Sequence, residues 1–419
     1  MESISPSDLA LELLNYCLRG ANWPSDLLET LVRCALHPDE ARAREASHAL
    51  FTIVVERLAD LFEPALCDTY AALFSNVIEF AFPEYSAAAL QERYRRVRLP
   101  RTFEGRTDDV TDVYVLSRVT LGADVAITSL VLDAAARRFP EARIHLVGTR
   151  KSFDLFAANP RIRHAPIHYS RTATLRGRLS IQPELQRLLS HPRALVIDPD
   201  SRLTQLGILP VCPEESYYFF ESRGYGEYGP ESLVELTRRW LRETFGIPDA
   251  RAWIAPEEQP ELDAPPAVAV SLGVGENPAK RVRDPFEEEL LQALSRRGLT
   301  IAIDRGAGGE EKDRVERAVA RSGARVRFCD GSFAAFSAVI ARAAMYVGYD
   351  SAGQHVAAAC GVPLVAVFAG FASARMLNRW RPSGPGRIAV VPVHLPDPGL
   401  VLAETLRAIE AASSPPLRR

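Results

Sequence analysis

From residue 112 onward, apolar runs alternate with amphipathic helical patterns, and the alternation happens twice. DVYVLSR, RIHLVG and RALVID are interleaved with helical patterns at 124–138, 151–157 and 230–245. Runs that are apolar throughout, rather than at every second position, are strands buried on both faces. With helices between them they predict a parallel sheet covered on each side. The acidic, proline-rich stretch APEEQPELDAPP (255–266) reads as a linker. Beyond it come AVAVSLGVG, a helix near 285–296, LTIAID, a helix near 310–321, RVRFCDG, a helix near 333–343, AMYVGY and LVAVFAG. A last helical pattern, PGLVLAETLRAIEAA, follows. Two such units joined by a linker predict a cleft at the carboxyl ends of both sets of strands, where open α/β sheets bind their ligands.

Residues 1–92 are of another kind. LALELLNYCL, SDLLETLVRCAL, DEARAREASHALFTIVVERLADLF and ALCDTYAALFSNVIEFAF place apolar residues three and four apart, the period of a helix with one buried face. Ser25-Asp26 and Pro38-Asp39 supply helix starts, and Pro64 and Pro83 supply breaks. The expected product is a small helical bundle without a cluster of catalytic residue types. RYRRVRLPRTFEGR (93–106) then sets six arginines against one glutamate. It reads as a solvated linker or a helix end against its neighbour, with an anion or membrane-surface contact as the alternative.

At 419 residues the chain is long enough for two or three domains. A formal charge of -3 excludes a general attraction to nucleic acid. No run approaches the roughly 18 apolar residues of a membrane span, and the start MESISPSDLALELL lacks the basic and cleavage features of a signal peptide. The six scattered cysteines, with no CxxC pair, argue against a zinc knuckle or a disulfide framework. The expected location is the cytoplasm, with contact at most at the inner face of the membrane.

The chemistry-bearing residues sit at strand ends. In DSAGQHVAAACGVP, Asp350 or Ser351 is placed to cap a short helix that Gly361 ends. Gly353 allows close backbone approach, and Gln354 and His355 lie one turn in. Such a helix start offers unpaired N–H groups and a positive dipole end to a phosphate. SLGVGENPAKRVRDPF adds Gly273, Gly275 and Lys280 after another strand. It is neither a Walker A loop nor a GxGxxG fingerprint. Two anion-friendly turns on one cleft nevertheless point to a diphosphate. In DRGAGGEEKDR, Glu310 or Glu311 is a candidate contact for a ribose or base. Across the cleft, Gly122 and Asp124 occupy the turn after the first strand, and Asp124 reads either as a helix cap or as a general base on an acceptor hydroxyl. DPDSRL contains Asp198 and Asp200 in a DxD spacing known from metal-nucleotide sites, but it ends a strand away from the two anion-friendly turns. It reads as a turn on the acceptor side, together with Arg202, and no metal is expected there. Arg223, in Glu221-Ser222-Arg223, edges the same side.

These segments together resemble the ADP-heptose:lipopolysaccharide heptosyltransferase family, inverting glycosyltransferases of GT-B fold. The resemblance is strongest in GSFAAFSAVIARAAMYVGYDSAGQHVAAACGVPLVAVFAG and extends to NPAKRVRDPFEEELLQAL, LGADVAITSLVLDAAARRFPEARIHLVG and FAANPRI. It covers roughly 112–410 and leaves the helical region aside. It implies two Rossmann-like α/β domains facing a cleft and a nucleoside-diphosphate sugar donor, most readily an ADP-sugar, bound by the second domain. Lys280 and the Ser351–His355 turn would meet the diphosphate and Asp124 would be the base, without a metal or other cofactor. Here Ala123 separates the glycine and aspartate that family members commonly keep adjacent, Ala352 replaces a glycine, and FASARMLNRWRPSGPG stands where the family has a proline-threonine pair.

The expected organisation is a helical region at 1–108, an acceptor-side domain at 109–256, a donor-side domain at 257–396, and a terminal helix and tail at 397–419. The expected partners are the nucleotide sugar and a glycan or lipid-linked acceptor, with no nucleic acid. A protein partner on the helical region is open. Two other readings stay open: a non-catalytic nucleotide-sugar-binding or scaffold protein, and another GT-B reaction such as nucleotide-sugar epimerisation.

Overall fold

The computed structural model describes residues 4–261, 264–275, 277–306 and 308–413. Residues 262–263 of the expected linker, Glu276 and Ala307 of the two glycine-containing loops, and the tail 414–419 lie outside the described residues.

Two sheets form, both parallel throughout. The first holds β1 (Asp112–Leu116), β2 (Arg143–Gly148), β3 (Ile162–Pro166), β4 (Ala194–Asp198) and β5 (Tyr217–Phe219), in the order β3-β2-β1-β4-β5. The second holds β6 (Val268–Ser271), β7 (Ile301–Asp304), β8 (Val326–Cys329), β9 (Tyr346–Tyr349), β10 (Leu364–Phe368) and β11 (Ile388–Pro392), in the order β11-β10-β9-β6-β7-β8. Each is a doubly wound sheet. The order of strand addition reverses between β1 and β4 and again between β6 and β9. Chains leaving the sheet at such a reversal diverge to opposite faces and open a crevice. The loops bearing Gly122, Asp124, Asp198, Asp200 and Arg202 leave from β1 and β4, and those bearing Gly273, Gly275, Lys280 and Asp350 leave from β6 and β9.

The helical region comprises α1 (Pro6–Leu18), α2 (Ser25–Ala35), α3 (Glu40–His48), α4 (Glu56–Asp60), α5 (Pro64–Ala81) and α6 (Ala87–Val97). A π-wound stretch, Ala49–Val55, joins α3 to α4 into one rod. Asp39 caps α3 by accepting from the Arg42 N–H. Pro64 stands in the first turn of α5, where a missing N–H costs nothing, so it opens a helix rather than breaking one.

This region has no core of its own. One apolar cluster runs from Leu13, Leu31, Leu50 and Phe74 to Tyr114, Leu116, Val196 and Phe219 of the first sheet. Val113 and Val115, which point to the opposite face, join a second cluster with the helix Leu233–Phe245 and with Ala269, Tyr346 and Val356. The helices of 1–97 are therefore the layer that covers one face of the first sheet. The arginines of 93–101 fasten them down. Arg93 donates to the Gly207 carbonyl at 2.9 Å, Arg98 pairs with Glu221 at 2.9 Å, and Arg96 pairs with Glu214 at 2.8 Å. Arg101 donates to the carbonyls of Glu214, Glu215 and Tyr217. Of the two sequence readings, a helix end lying against its neighbour is the one found. No helix among the described residues is long and apolar enough to cross a membrane.

The helix Leu233–Phe245 starts with a capping box, in which the Ser232 hydroxyl accepts from the Glu235 N–H and the Glu235 carboxylate accepts from the Ser232 N–H. Gly246 closes it in the left-handed conformation (φ 70°). Ser232→Ala is expected to cost about 1 kcal/mol, read as a lowered midpoint in thermal unfolding, with no change in ligand binding.

Candidate active site

On the second sheet the site is organised around a carboxylate. Asp350 leaves β9 almost fully buried and receives two donors: Lys280 Nζ at 2.6 Å on Oδ2 and Gln354 Nε2 at 2.5 Å on Oδ1. The helix Ala352–Ala359 begins immediately after it. Ser351 is its N-cap but makes no capping bond with its side chain, and Asp350 turns to Lys280 and Gln354 instead. The first-turn N–H groups are thus left without a side-chain cap beside a lysine. This is the arrangement an anion needs, with a helix dipole and a held cation converging. Gly361 ends the helix at φ 71°, as the sequence implied.

His355 and Gln354 are both buried and each keeps one polar atom unpartnered: Nδ1 of the histidine and Oε1 of the amide. Burial holds the His355 pKa down to about 4, so the ring is neutral at physiological pH. Its Cδ2 edge meets Gly122. A Cβ at position 122 would lie 3.3 Å from both that carbon and the Ala352 Cα. The loop after β1 therefore rests directly on the start of the helix after β9, and the two switch points face one another. Glu311 accepts from the Val274 N–H at 3.2 Å and so shapes the Gly273–Gly275 loop, whereas Glu310 is exposed in the first turn of Gly309–Ser322.

A backbone approach fixes the lysine turn. Gly370, after β10, has φ 66°, and a Cβ there would lie 2.4 Å from the Ala279 carbonyl oxygen. Gly370→Ala is expected to displace the Pro278–Lys280 turn and weaken nucleotide binding several-fold, which calorimetric titration would register.

On the first sheet the candidates are spent on one another. Asp124 is fully buried inside a π-wound segment, Asp124–Thr128, rather than at a helix cap. Its Oδ1 accepts from the Arg118 N–H and the Thr128 hydroxyl, both at 2.8 Å, and its Oδ2 accepts from the Ser117 hydroxyl at 2.8 Å. Asp198 is likewise sealed, accepting from Thr204, from the Ser201 N–H and from Tyr217 at 2.6 Å, and burial lifts its pKa to about 6. Asp200 (φ 66°) binds Arg223 at 3.1 Å and Ser222 at 2.8 Å. Arg223 is buried and also donates to the Tyr94 hydroxyl of α6. This network ties the loops after β4 and β5 to the helical region. Arg202 of this group stands beside α4, 3.8 Å from Glu56.

That last contact was not legible in the sequence. The turn between α4 and α5 reaches across to the second sheet's unit. The Phe62 carbonyl accepts from Arg375 Nε, and the Phe62 ring lies 6.1 Å from Trp380. Trp380 in turn lies 6.0 Å from His355. Nothing in a helical period signals that a turn will meet residues three hundred positions away.

Two facing Rossmann sheets with an anion-ready helix start at the second switch point define the GT-B architecture, and the chain is a glycosyltransferase of that class. Residues 234–389 match Glycosyltransferase family 9 (heptosyltransferase), which identifies that part of the chain as a domain of the heptosyltransferase family. The glycosyl transferase family 9 structure from Veillonella parvula is 16% identical, with a TM-score of 0.52 over 72% of this chain and 97% of that one. E. coli heptosyltransferase WaaC, solved with ADP-2-deoxy-2-fluoro heptose, is 16% identical with a TM-score of 0.53, covering 73% of this chain and 100% of that one. At that identity these likenesses speak for the fold. No curated protein matches the chain by sequence.

Proposed function

We propose that the chain is an inverting, metal-independent glycosyltransferase that moves a heptose or similar sugar from a nucleoside-diphosphate sugar to a hydroxyl of a glycan or lipid-linked acceptor. In this reading the donor is an ADP-sugar and the product belongs to the cell envelope, with lipopolysaccharide the leading case. The reaction takes place in the cytoplasm, at most touching the inner face of the membrane. The observation that carries the reading is Lys280 held by Asp350 beside the uncapped start of Ala352–Ala359.

The departing diphosphate needs its growing charge balanced as the anomeric C–O bond breaks. Lys280 and the first-turn N–H groups supply that balance from fixed positions. Asp350 keeps the lysine extended toward the turn, and neutral His355 backs the helix. Gly273 and Gly275 allow the loop after β6 to approach the phosphates, and Glu310 is the ribose or base contact. The WaaC structure, whose ligand is an ADP-sugar analogue, supports the choice of base. Arg202 borders the acceptor, while Asp198, Asp200 and Arg223 hold the shape of that side.

The test is to incubate the protein with a panel of nucleotide sugars, with and without candidate acceptors, and to follow nucleoside diphosphate release. Release that requires acceptor, with an inverted product, upholds the reading; release without acceptor, or an isomerised sugar, replaces it with hydrolysis or epimerisation. The sealed carboxylate of Asp124 favours a second reading, a protein that binds the nucleotide sugar without transferring it. Binding without any turnover would select it.

A further inference from the structure

The helical region brings a carboxylate of its own to the cleft. Glu56 and Asp60 lie one turn apart on α4, hence on the same face. Glu56 is fully engaged, pairing with Arg171 at 2.7 Å and standing 3.8 Å from Arg202. Asp60 is half-buried and makes no hydrogen bond or ion pair with any described residue. Its charged neighbours come from three directions: Glu56 on its own helix, Arg171 and Arg202 from the first sheet's loops, and Lys280 from the donor side of the second. Two residues on, Phe62 is anchored to Arg375 and Trp380, so the end of α4 is fixed at the mouth of the cleft.

We infer that Asp60 is the general base of the transfer, supplied by the helical region in place of the buried Asp124. This rests on the transferase reading above. Asp124 has both oxygens saturated by protein donors and no surface, so it cannot take a proton from an incoming hydroxyl without dismantling its loop. Asp60 has a free carboxylate within electrostatic reach of Lys280, the residue assigned to the donor diphosphate. In the step, Asp60 accepts the acceptor's hydroxyl proton as that oxygen bonds to the anomeric carbon. The anomeric C–O bond to the diphosphate breaks, and its electron pair leaves with the nucleoside diphosphate. The proton then passes from Asp60 to water. Burial raises the pKa of Asp60 above the usual carboxylate value, against the opposing pull of Arg202, and a base that binds its proton more tightly is a better catalyst.

Asp60→Asn keeps shape and volume and removes proton acceptance. It is expected to lower kcat about 100-fold or more, leave the donor's affinity unchanged, and abolish the acid limb of the kcat/KM profile, which Asp60→Glu partly restores. If Asp60 only positions Arg202 or Lys280, the Asn variant shifts donor affinity and keeps the acid limb, and the assignment falls. Turnover in wild type matched by Asp60→Asn also overturns it. A wild-type protein that binds the donor but transfers to no acceptor removes the transferase reading itself, and the base with it.

Discussion

Lys280→Ala should weaken nucleoside diphosphate binding about 10- to 100-fold, the equivalent of losing one charge-assisted hydrogen bond worth about 1.5–3 kcal/mol. The loss has two parts. The cation that meets the phosphates disappears, and the buried Asp350 carboxylate it neutralised at 2.6 Å is left facing the incoming anion with only Gln354 as partner. Asp350→Asn in the Lys280→Ala background should therefore recover part of the affinity, since it removes the like charge. Titration calorimetry with the free diphosphate separates the terms. Unchanged affinity in Lys280→Ala would sink the donor-site assignment.

The second large effect concerns folding. Asp124→Ala strips the Thr128 hydroxyl and the Arg118 N–H of their acceptor in a fully buried site, and leaves the Ser117 hydroxyl only Ser152 at 3.1 Å. Unsatisfied buried donors cost about 1–3 kcal/mol each before relaxation, so a net loss of about 3 kcal/mol is expected and a clear drop in the unfolding midpoint. Asp124→Asn should lose far less. Its amide oxygen still accepts from Arg118 and Thr128, and its NH2 can donate to Ser117. The pH dependence carries a definite sign. Burial pushes the Asp124 carboxyl upward against hydrogen bonds from Ser117, Thr128 and Arg118, so ionisation opposes the fold. Its contribution is fully present below the unfolded value near 3.9 and declines as pH rises through the raised folded value. Asp124→Asn removes that decline. An Asn variant that folds normally but has lost turnover would return Asp124 to the role of base.

The parallel sheets were legible because buried strands announce themselves as unbroken apolar runs, as in Ala194–Asp198 and Leu364–Phe368. β3 was not, because IRHAP is an edge strand that breaks the apolar run with an exposed Arg163 and a half-buried His164. β11 and the helix Ala374–Trp380 were missed as well, the helix inside the segment where the chain departs from the heptosyltransferase pattern and the strand just beyond it. Lys280, Asp350 and Gln354, expected from the loops that follow two strands, do meet in space. Asp124 shows the limit of spacing as a guide. Asp124 follows a strand as the expected cleft residue would, yet it is fully buried, because a sequence does not state which way a side chain faces inside a π-wound turn. The arrival of Asp60 depends on the long rod Glu40–Asp60 and on the Phe62 turn, both tertiary facts.

The shared core described for the helices and the first sheet bears on where this protein can be cut. The resemblance begins near residue 112, which suggests a self-sufficient transferase with an appendage in front. Removing that appendage would strand Tyr114, Leu116, Val196 and Phe219 in water along one whole side of the sheet, and would leave Glu214 and Glu221 without Arg96 and Arg98. A fragment starting at 108 should accordingly precipitate or bind hydrophobic dyes rather than fold. Ancestry and thermodynamics draw the border of this enzyme in different places, and any shortened version has to respect the second.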